Sequence, residues 1–547
     1  MHVLLKKTYL ILCCIVLIAG LFRFIALGSN PPFLNWDEVA WGYNAYALGL
    51  NARDEFGRFL PYTYLESFGD YKPPVYAYLT VLPVKIFGLN AFATRFASAL
   101  CGTLTVLITY FLVKRLFPKS KNKNWYGLAA AGVLAISPWH IMLSRAAFEA
   151  NVATFLMVTG VWLFLGGMQE KKWYLVLSAI PFALSFYTFN TPRVVVPLLV
   201  VFLALFFWRE ILTRKKQIII AAMLGILFLL PTVKFLLSPQ AKLRFDEVNI
   251  FTDVSVVERG NQEVANDGGG AVSKLIHNRR LLFTADFLKH YFDNLSPSFL
   301  FITGDGNPKF SIQDVGQMYL WDLPFFILGI FLLFKKREGY WWVIPLWLII
   351  GIVPAATAQQ TPHALRTEIT LPTFQIFVAY GIVSAFVFLQ EKVKKQFTKN
   401  TIIFLVSFLL LCNVFYFVYN YATYYPYRFS GDWNFTYKDS IQYVSQNEAK
   451  YNKIVVSDVL GRPYIYYLFY MHISPITYRQ TANVSRDVFG FVTVNSFGKY
   501  IFSDNPSSIK GNTYLYIDNI ATAPKNVHVL QIFKNLDGTP VLEAYTM

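Results

Sequence analysis

Lys114-Arg115-Leu116-Phe117-Pro118-Lys119-Ser120-Lys121-Asn122-Lys123 is a basic connection between two apolar runs, residues 92–113 and 125–142. The side of a membrane on which it lies decides the topology of the whole chain. Outward from it, apolar stretches recur at residues 9–27, 147–167, 173–190, 194–208, 217–237, 319–334, 340–356, 369–390 and 401–421. A helix needs about 20 apolar residues to cross the hydrocarbon, so the pattern predicts about eleven transmembrane helices. Further basic clusters occupy alternate connections: Lys6/Lys7, Lys171/Lys172, Arg209/Arg214/Lys215/Lys216, Lys335/Lys336/Arg337 and Lys392/Lys394/Lys395/Lys399. The short connections opposite carry one arginine each, Arg145, Arg193 and Arg366. Positive charge is retained on the cytoplasmic side, so the amino terminus and the Lys114–Lys123 connection are predicted to be cytoplasmic. The same asymmetry rejects Pro74–Phe87 as a full span, which would carry Lys114–Lys123 outside. That segment reads as a helix lying in the interface or re-entering the protein.

Composition agrees. Of 547 residues 55% are hydrophobic and 15% charged, an apolar share that excludes an ordinary soluble protein and makes the lipid bilayer a partner. The net charge of +17 sits in the clusters between spans, so no nucleic-acid partner is expected. Cys13, Cys14, Cys101 and Cys412 all lie in apolar segments without metal-ligand spacing and read as small hydrophobes. Residues 9–27 follow two lysines like a signal peptide but have spanning length and no small-residue cleavage site, and are expected to be a retained anchor.

This topology leaves three larger pieces outside: the loop 28–90, the loop 238–318 and a tail from about 423 to 547. Residues 1–422 are expected to form a transmembrane module and residues 423–547 a small extracytoplasmic α/β domain. Within the second loop, Gly268-Gly269-Gly270 precedes an expected amphipathic surface helix over Ala271–Leu295. In the tail, Lys453–Ser457 and Thr513–Asp518 read as strands, and Val527–Lys534 with Val541–Tyr545 around Asp537-Gly538 as a hairpin.

The first loop gathers the chemistry. Asp37 and Glu38 precede Val39, Tyr43 and Ala47 at four-residue spacing, which puts the acidic pair at the start of an amphipathic helix. There they either complement the helix dipole or, next to a bilayer, serve a function. In Asp70-Tyr71-Lys72-Pro73-Pro74 the prolines fix an extended corner and would start the next helix. Asp70 could position an acceptor or a divalent cation and Lys72 could neutralise a phosphate; the other reading is a solvated turn pair.

The acidic pair after the first span, Asp70-x-x-Pro73-Pro74, and Arg95 in Phe92-Ala93-Thr94-Arg95-Phe96-Ala97-Ser98-Ala99 together resemble the family 39 glycosyltransferases of the GT-C superfamily. These include the protein O-mannosyltransferases, and the aminoarabinose transferases are related. The resemblance is best over residues 30–210 and continues through Gly304-Asp305-Gly306, Gly316 and Trp321-Asp322-Leu323-Pro324. It implies a GT-C fold and transfer of one sugar from a polyprenyl-phosphate donor to an acceptor hydroxyl on a glycan, lipid or protein, with inversion, at the outer face of the cell membrane. By that resemblance Asp37 matches the general base, Glu38 its acidic neighbour, Asp70 a second acidic position and Lys72 a lysine near the lipid phosphate. Tyr71 separates Asp70 from Lys72 where the aminoarabinose branch has an acid directly before its lysine, so a metal at Asp70 is an open question.

A departing lipid phosphate gains charge, which fixed cations would stabilise. Arg145, Arg193 and Arg366 are candidates, Arg366 foremost, because Thr361-Pro362-His363-Ala364-Leu365-Arg366 joins a rigid turn to a histidine and an arginine. Each could instead snorkel or cap a helix, Arg145 could pair with Glu149 at i,i+4, and His363 could bind the lipid phosphate or a metal or be structural. No nucleotide-binding or nucleophile motif is present. A flippase for lipid-linked sugars or a non-catalytic envelope assembly factor are the alternatives. Charge concentrated in one early outer loop, rather than at paired broken helices, favours the enzyme.

Overall fold

The computed structural model describes residues 2–238, 241, 249–486 and 492–547; residues 239–240 and 242–248 of the second loop and 487–491 of the tail lie outside the described residues. The chain separates into two compact units. The first comprises Met1–Ala19, Gly102–Leu143 and Ala150–Phe415; the second comprises Gly20–Cys101, Ser144–Glu149 and Tyr416–Met547.

Every expected apolar segment is helical. Among the described residues six helices are long and apolar enough to cross a membrane: Lys6–Phe24, Ala91–Leu116, Glu149–Gln169, Lys215–Leu236, Thr373–Lys392 and Gln396–Thr423. A seventh span results if Lys123–Ile136 and Pro138–Arg145, bent by 56°, are counted together. The bend falls where Pro138 lacks the N–H that would continue the ladder. The other expected spans are shorter helices, Tyr174–Phe186, Pro192–Phe206, Asp322–Lys336 and Val343–Ala356. Val75–Phe87, with 13 residues, is about 20 Å long and too short to cross about 30 Å of hydrocarbon unaided.

In the first unit, Asp322–Lys336 and Thr373–Lys392 touch backbone to backbone. A Cβ on Gly329 would lie 1.9 Å from the Phe377 carbonyl oxygen, and one on Gly381 2.0 Å from that of Phe325. Small residues allow this approach where hydrocarbon supplies no hydrophobic drive between helices. The expected single helix over Ala271–Leu295 is instead two, Ala271–Ile276 and Arg279–Asp293. The Asn278 side chain accepts a bond from the Arg280 N–H (2.9 Å) and so starts a second helix.

The second unit holds the end of α1 (His2–Phe24), α2 (Trp36–Asn51), a hairpin of β1 (Leu65–Ser67) and β2 (Asp70–Lys72), α3 (Val75–Phe87), the first turns of α4 (Ala91–Leu116), and the tail. Gly42 of α2 admits Thr94 and Phe469, each of which would lie 2.5 Å from an added Cβ. The tail forms one mixed sheet from β3 (Lys453–Ser457), β4 (Asn483–Arg486), β5 (Val492–Phe497), β6 (Tyr500–Ser503), β7 (Tyr514–Asn519), β8 (His528–Lys534) and β9 (Pro540–Thr546), in the order β4-β5-β6-β3-β7-β9-β8. Central β3 runs parallel to β6 and β7, and the remaining pairs are antiparallel. Helices Thr436–Asn447 and Pro463–Tyr470 complete an α/β domain.

Candidate active site

Asn35 caps α2: its Oδ1 accepts the N–H groups of Asp37 (2.9 Å) and Glu38 (3.1 Å). The Asn35 N–H in turn donates to Glu38 Oε2 (3.0 Å), closing a capping box that turns Glu38 back toward the helix start. Successive residues project about 100° apart around a helix, so Asp37 points elsewhere.

The two acids have different surroundings. Glu38 is fully buried and accepts from Arg95 Nε (2.8 Å), Arg95 Nη2 (3.1 Å) and the Ala147 N–H (2.9 Å) besides its own cap. Arg95 completes its fork on the carbonyls of Leu27 (3.1 Å), Pro31 (2.9 Å) and Phe33 (2.6 Å). This pair pins the loop 27–38 onto α4. Asp37 keeps 44% of its side chain accessible and receives a hydrogen bond from Lys72 Nζ, whose side chain is only 8% accessible. Lys72 also lies over the rings of Phe68 (4.8 Å) and Trp41 (5.3 Å).

The hairpin explains how Lys72 reaches that position. Phe68 and Gly69 both have positive φ, +56° and +79°, and form a two-residue turn that registers Ser67 against Asp70 and Leu65 against Lys72. Side chains alternate along a strand, so Asp70 and Lys72 share one face and Tyr71 takes the other, where it meets Tyr64 at 5.1 Å. The intervening tyrosine therefore leaves Asp70 and Lys72 on a common side. Glu149, the first residue of the helix Glu149–Gln169, interacts electrostatically with Lys72, Asp37 and Asp70. It adds a third carboxyl group to Asp37 and Asp70, and sequence reasoning offered it only as a partner for Arg145. Among the described residues Arg145 makes no ion pair with Glu149. Its N–H groups donate to Tyr421 Oη (3.2 Å) and to the carbonyls of Phe22 (2.7 Å) and Asn30 (2.8 Å).

Beneath the hairpin, fully buried Glu55 accepts from Asn44 Nδ2 (2.8 Å), Ser67 Oγ (3.1 Å) and Tyr464 Oη (2.9 Å). Burial pushes its carboxyl up to about 8. Glu66 pairs with Arg486 at 2.5 Å. Thus helix α2, the hairpin and the tail share one polar network.

His363 and Arg366 belong to the first unit. There the N–H groups of His363 and Ala364 donate to Asn294 Oδ1 (2.9 Å) and Asp305 Oδ2 (2.6 Å), and the Thr361 hydroxyl donates to Asp293 Oδ2 (3.0 Å). Burial, reinforced by the Arg366 charge, pushes the His363 imidazole down to about 3, so it is neutral at physiological pH. Burial raises Asp305 to about 6. Among the described residues no three His, Cys, Asp or Glu side chains are arranged to hold a metal ion.

A family model described as dolichyl-phosphate-mannose-protein mannosyltransferase matches residues 71–235. An uncharacterized protein of Aquifex aeolicus is 28% identical over 200 residues, 36% of this chain and 37% of that protein. The putative mannosyltransferase YkcB of Bacillus subtilis is 26% identical over 108 residues, 20% of this chain and 14% of that one. The chain thus matches well under half the length of each of these relatives. ArnT from Cupriavidus metallidurans in the apo state superposes over 97% of both chains with a TM-score of 0.55 at 13% identity. The same protein bound to undecaprenyl phosphate gives 0.52, again at 13% identity and 97% coverage of both. The chain therefore has the fold of the GT-C superfamily glycosyltransferases, and the resemblance read from its loop motifs holds at that level.

Proposed function

We propose that the protein is a membrane glycosyltransferase that moves one sugar from a polyprenyl-phosphate donor to an acceptor hydroxyl on the extracytoplasmic face. The observation that supports this best is the accessible Asp37 carboxylate paired with Lys72 and facing Asp70 and Glu149, on a fold shared with a protein captured with undecaprenyl phosphate. The acceptor oxygen attacks the anomeric carbon while its proton passes to Asp37. The bond from that carbon to the phosphate oxygen breaks, and polyprenyl phosphate leaves with the electron pair. A single displacement of this kind inverts the anomeric configuration.

Lys72 has two partners in turn. In the resting site it holds Asp37 as a carboxylate; with donor bound it shares its charge with the phosphate, which frees Asp37 to take the proton. Asp70 and Glu149 orient the acceptor through its hydroxyls. Glu38, with every lone-pair direction engaged, is a positioning residue that fixes the start of α2 rather than a proton carrier, and Arg145 likewise holds the loop through its carbonyls. For Arg366 a lipid-phosphate role is a separate proposal. Arg366→Ala should raise the apparent KM for donor, and an unchanged value would return it to a structural role.

Asp37→Asn tests the central assignment. It should abolish transfer from a polyprenyl-phosphate-sugar in proteoliposomes with expression and melting temperature preserved; full transfer by the variant would remove Asp37 as base. Carrier translocation without any transfer by the wild type would favour a flippase.

A further inference from the structure

The proposed chemistry brings a phosphate to a cluster in which Lys72 is already paired with Asp37 and Glu149 interacts with Lys72, Asp37 and Asp70. Like charge resists that approach, so a further cation is needed. Most arginines near the cluster are committed elsewhere. Arg95 and Arg145 serve Glu38, Tyr421 and main-chain carbonyls, Arg58 donates to the Tyr64 carbonyl (3.1 Å), Arg479 to that of Asp54 (3.0 Å), and Arg486 pairs with Glu66.

Arg462 differs. It sits in the tail between β3 and the helix Pro463–Tyr470, and among the described residues its guanidinium makes no hydrogen bond and no ion pair. Instead it lies 5.3 Å from the centre of the Trp36 ring and 4.3 Å from that of Phe68. Trp36 directly precedes Asp37, and Phe68 is the ring that also carries Lys72. Gly461 and Arg462 both have positive φ, +81° and +55°, and the Gly461 N–H closes the turn on the Asp458 carbonyl (2.7 Å). A non-glycine residue held in the left-handed region is strained, and such strain persists where surrounding structure imposes it. Pro463 then fixes the exit into the helix.

We propose that Arg462 is a phosphate-binding residue that the tail contributes to the Asp37–Lys72 site, its ligand a phosphate ester. This rests on the polyprenyl-phosphate reading above. Two aromatic faces hold the planar guanidinium in place, leaving its edge N–H groups for the paired oxygens of a phosphate. Donor binding then requires the tail, and the two cations on Phe68 divide the work: Lys72 exchanges between base and ligand, while Arg462 stays with the ligand.

The test uses the full chain in detergent, with undecaprenyl phosphate as the probe and inorganic phosphate as a competitor. Arg462→Gln should weaken undecaprenyl phosphate binding about tenfold or more at unchanged melting temperature, and Arg462→Lys should recover part of the loss. Competition by inorganic phosphate against the wild type but not against Arg462→Gln supports a site that accepts the bare anion. Dependence on Arg462 without such competition supports one that requires the lipid-borne ester. Equal binding by wild type and Arg462→Gln overturns the proposal while leaving the donor reading intact, as does a loss of affinity matched by a fall in melting temperature in both variants. Failure of the wild type to bind undecaprenyl phosphate overturns both.

Discussion

Two stretches of the chain set charged side chains beside prolines, Asp70–Pro74 and Thr361–Arg366, and they hold their neighbours in opposite ways. In the first, Lys72 is held by side chains: the Asp37 carboxylate and the faces of Trp41 and Phe68. In the second, Asp305 and Asn294 accept main-chain N–H groups of Ala364, Asn307 and His363. A side-chain partner can be exchanged for a ligand while the backbone stays in place. A carboxylate clamped on amides cannot leave without opening the turn, because the buried Ala364 N–H would lose its acceptor. Charge alone therefore does not mark a reactive site; what holds the charge does.

Substitutions at four acids bear on that contrast. The largest effect is expected at Asp37, where asparagine should cut the transfer rate by about 10²–10⁴ without loss of folding, read from sugar release and from melting temperature. Glu38→Ala should do the reverse. It strands Arg95 in a buried site and should cost about 3–5 kcal/mol of stability, seen as loss of monodisperse protein, whereas the apolar pair Glu38→Leu with Arg95→Met should recover much of it. If Glu38→Ala folds normally and only slows transfer, the division between the two neighbouring acids is wrong.

Asp305→Ala should cost roughly 1–3 kcal/mol by releasing the Ala364 and Asn307 N–H groups, with the transfer rate of the folded fraction unchanged. A large fall in rate at unchanged stability would move that region into the chemistry. The smallest effect belongs to Glu55. Its carboxyl, at about 8 in the fold against 4.5 unperturbed, binds a proton on folding between those values, so wild-type stability should decline as pH rises from about 4.5 to about 8 and level off above. Glu55→Gln should remove that part of the slope in paired melting curves, and identical slopes would show that Glu55 does not titrate there.

Much of the architecture is legible because burial in lipid writes long apolar runs, and because Asp37 and Glu38 ahead of the Val39, Tyr43 and Ala47 spacing mark the start of α2. Central β3 is equally plain: Ile454, Val455 and Val456 are all buried, so the strand reads as an unbroken apolar run. Edge strand β4 is exposed at all four residues and has no apolar alternation to find. The site is legible only where its parts are adjacent in sequence. Asp37 and the Asp70–Lys72 stretch announce themselves, but Glu149 is one acid at a helix start, and Glu55 finds Tyr464 across 409 residues. Arg462 gives no local sign, since its meaning comes from Trp36 and Phe68, brought to it by the fold.

The two-residue turn at Phe68-Gly69 also imposes a rule of parity on this loop. Strand faces alternate with every residue, so one residue inserted into or removed from β2 would exchange the faces of Tyr71 and Lys72 and send the ammonium away from Asp37. Length variation in the loop is therefore confined to even steps within the strand or to the stretch 52–64 before it. Forms of this loop that differ in length would keep that parity, by even steps between Phe68 and Lys72 or by changes upstream of Leu65.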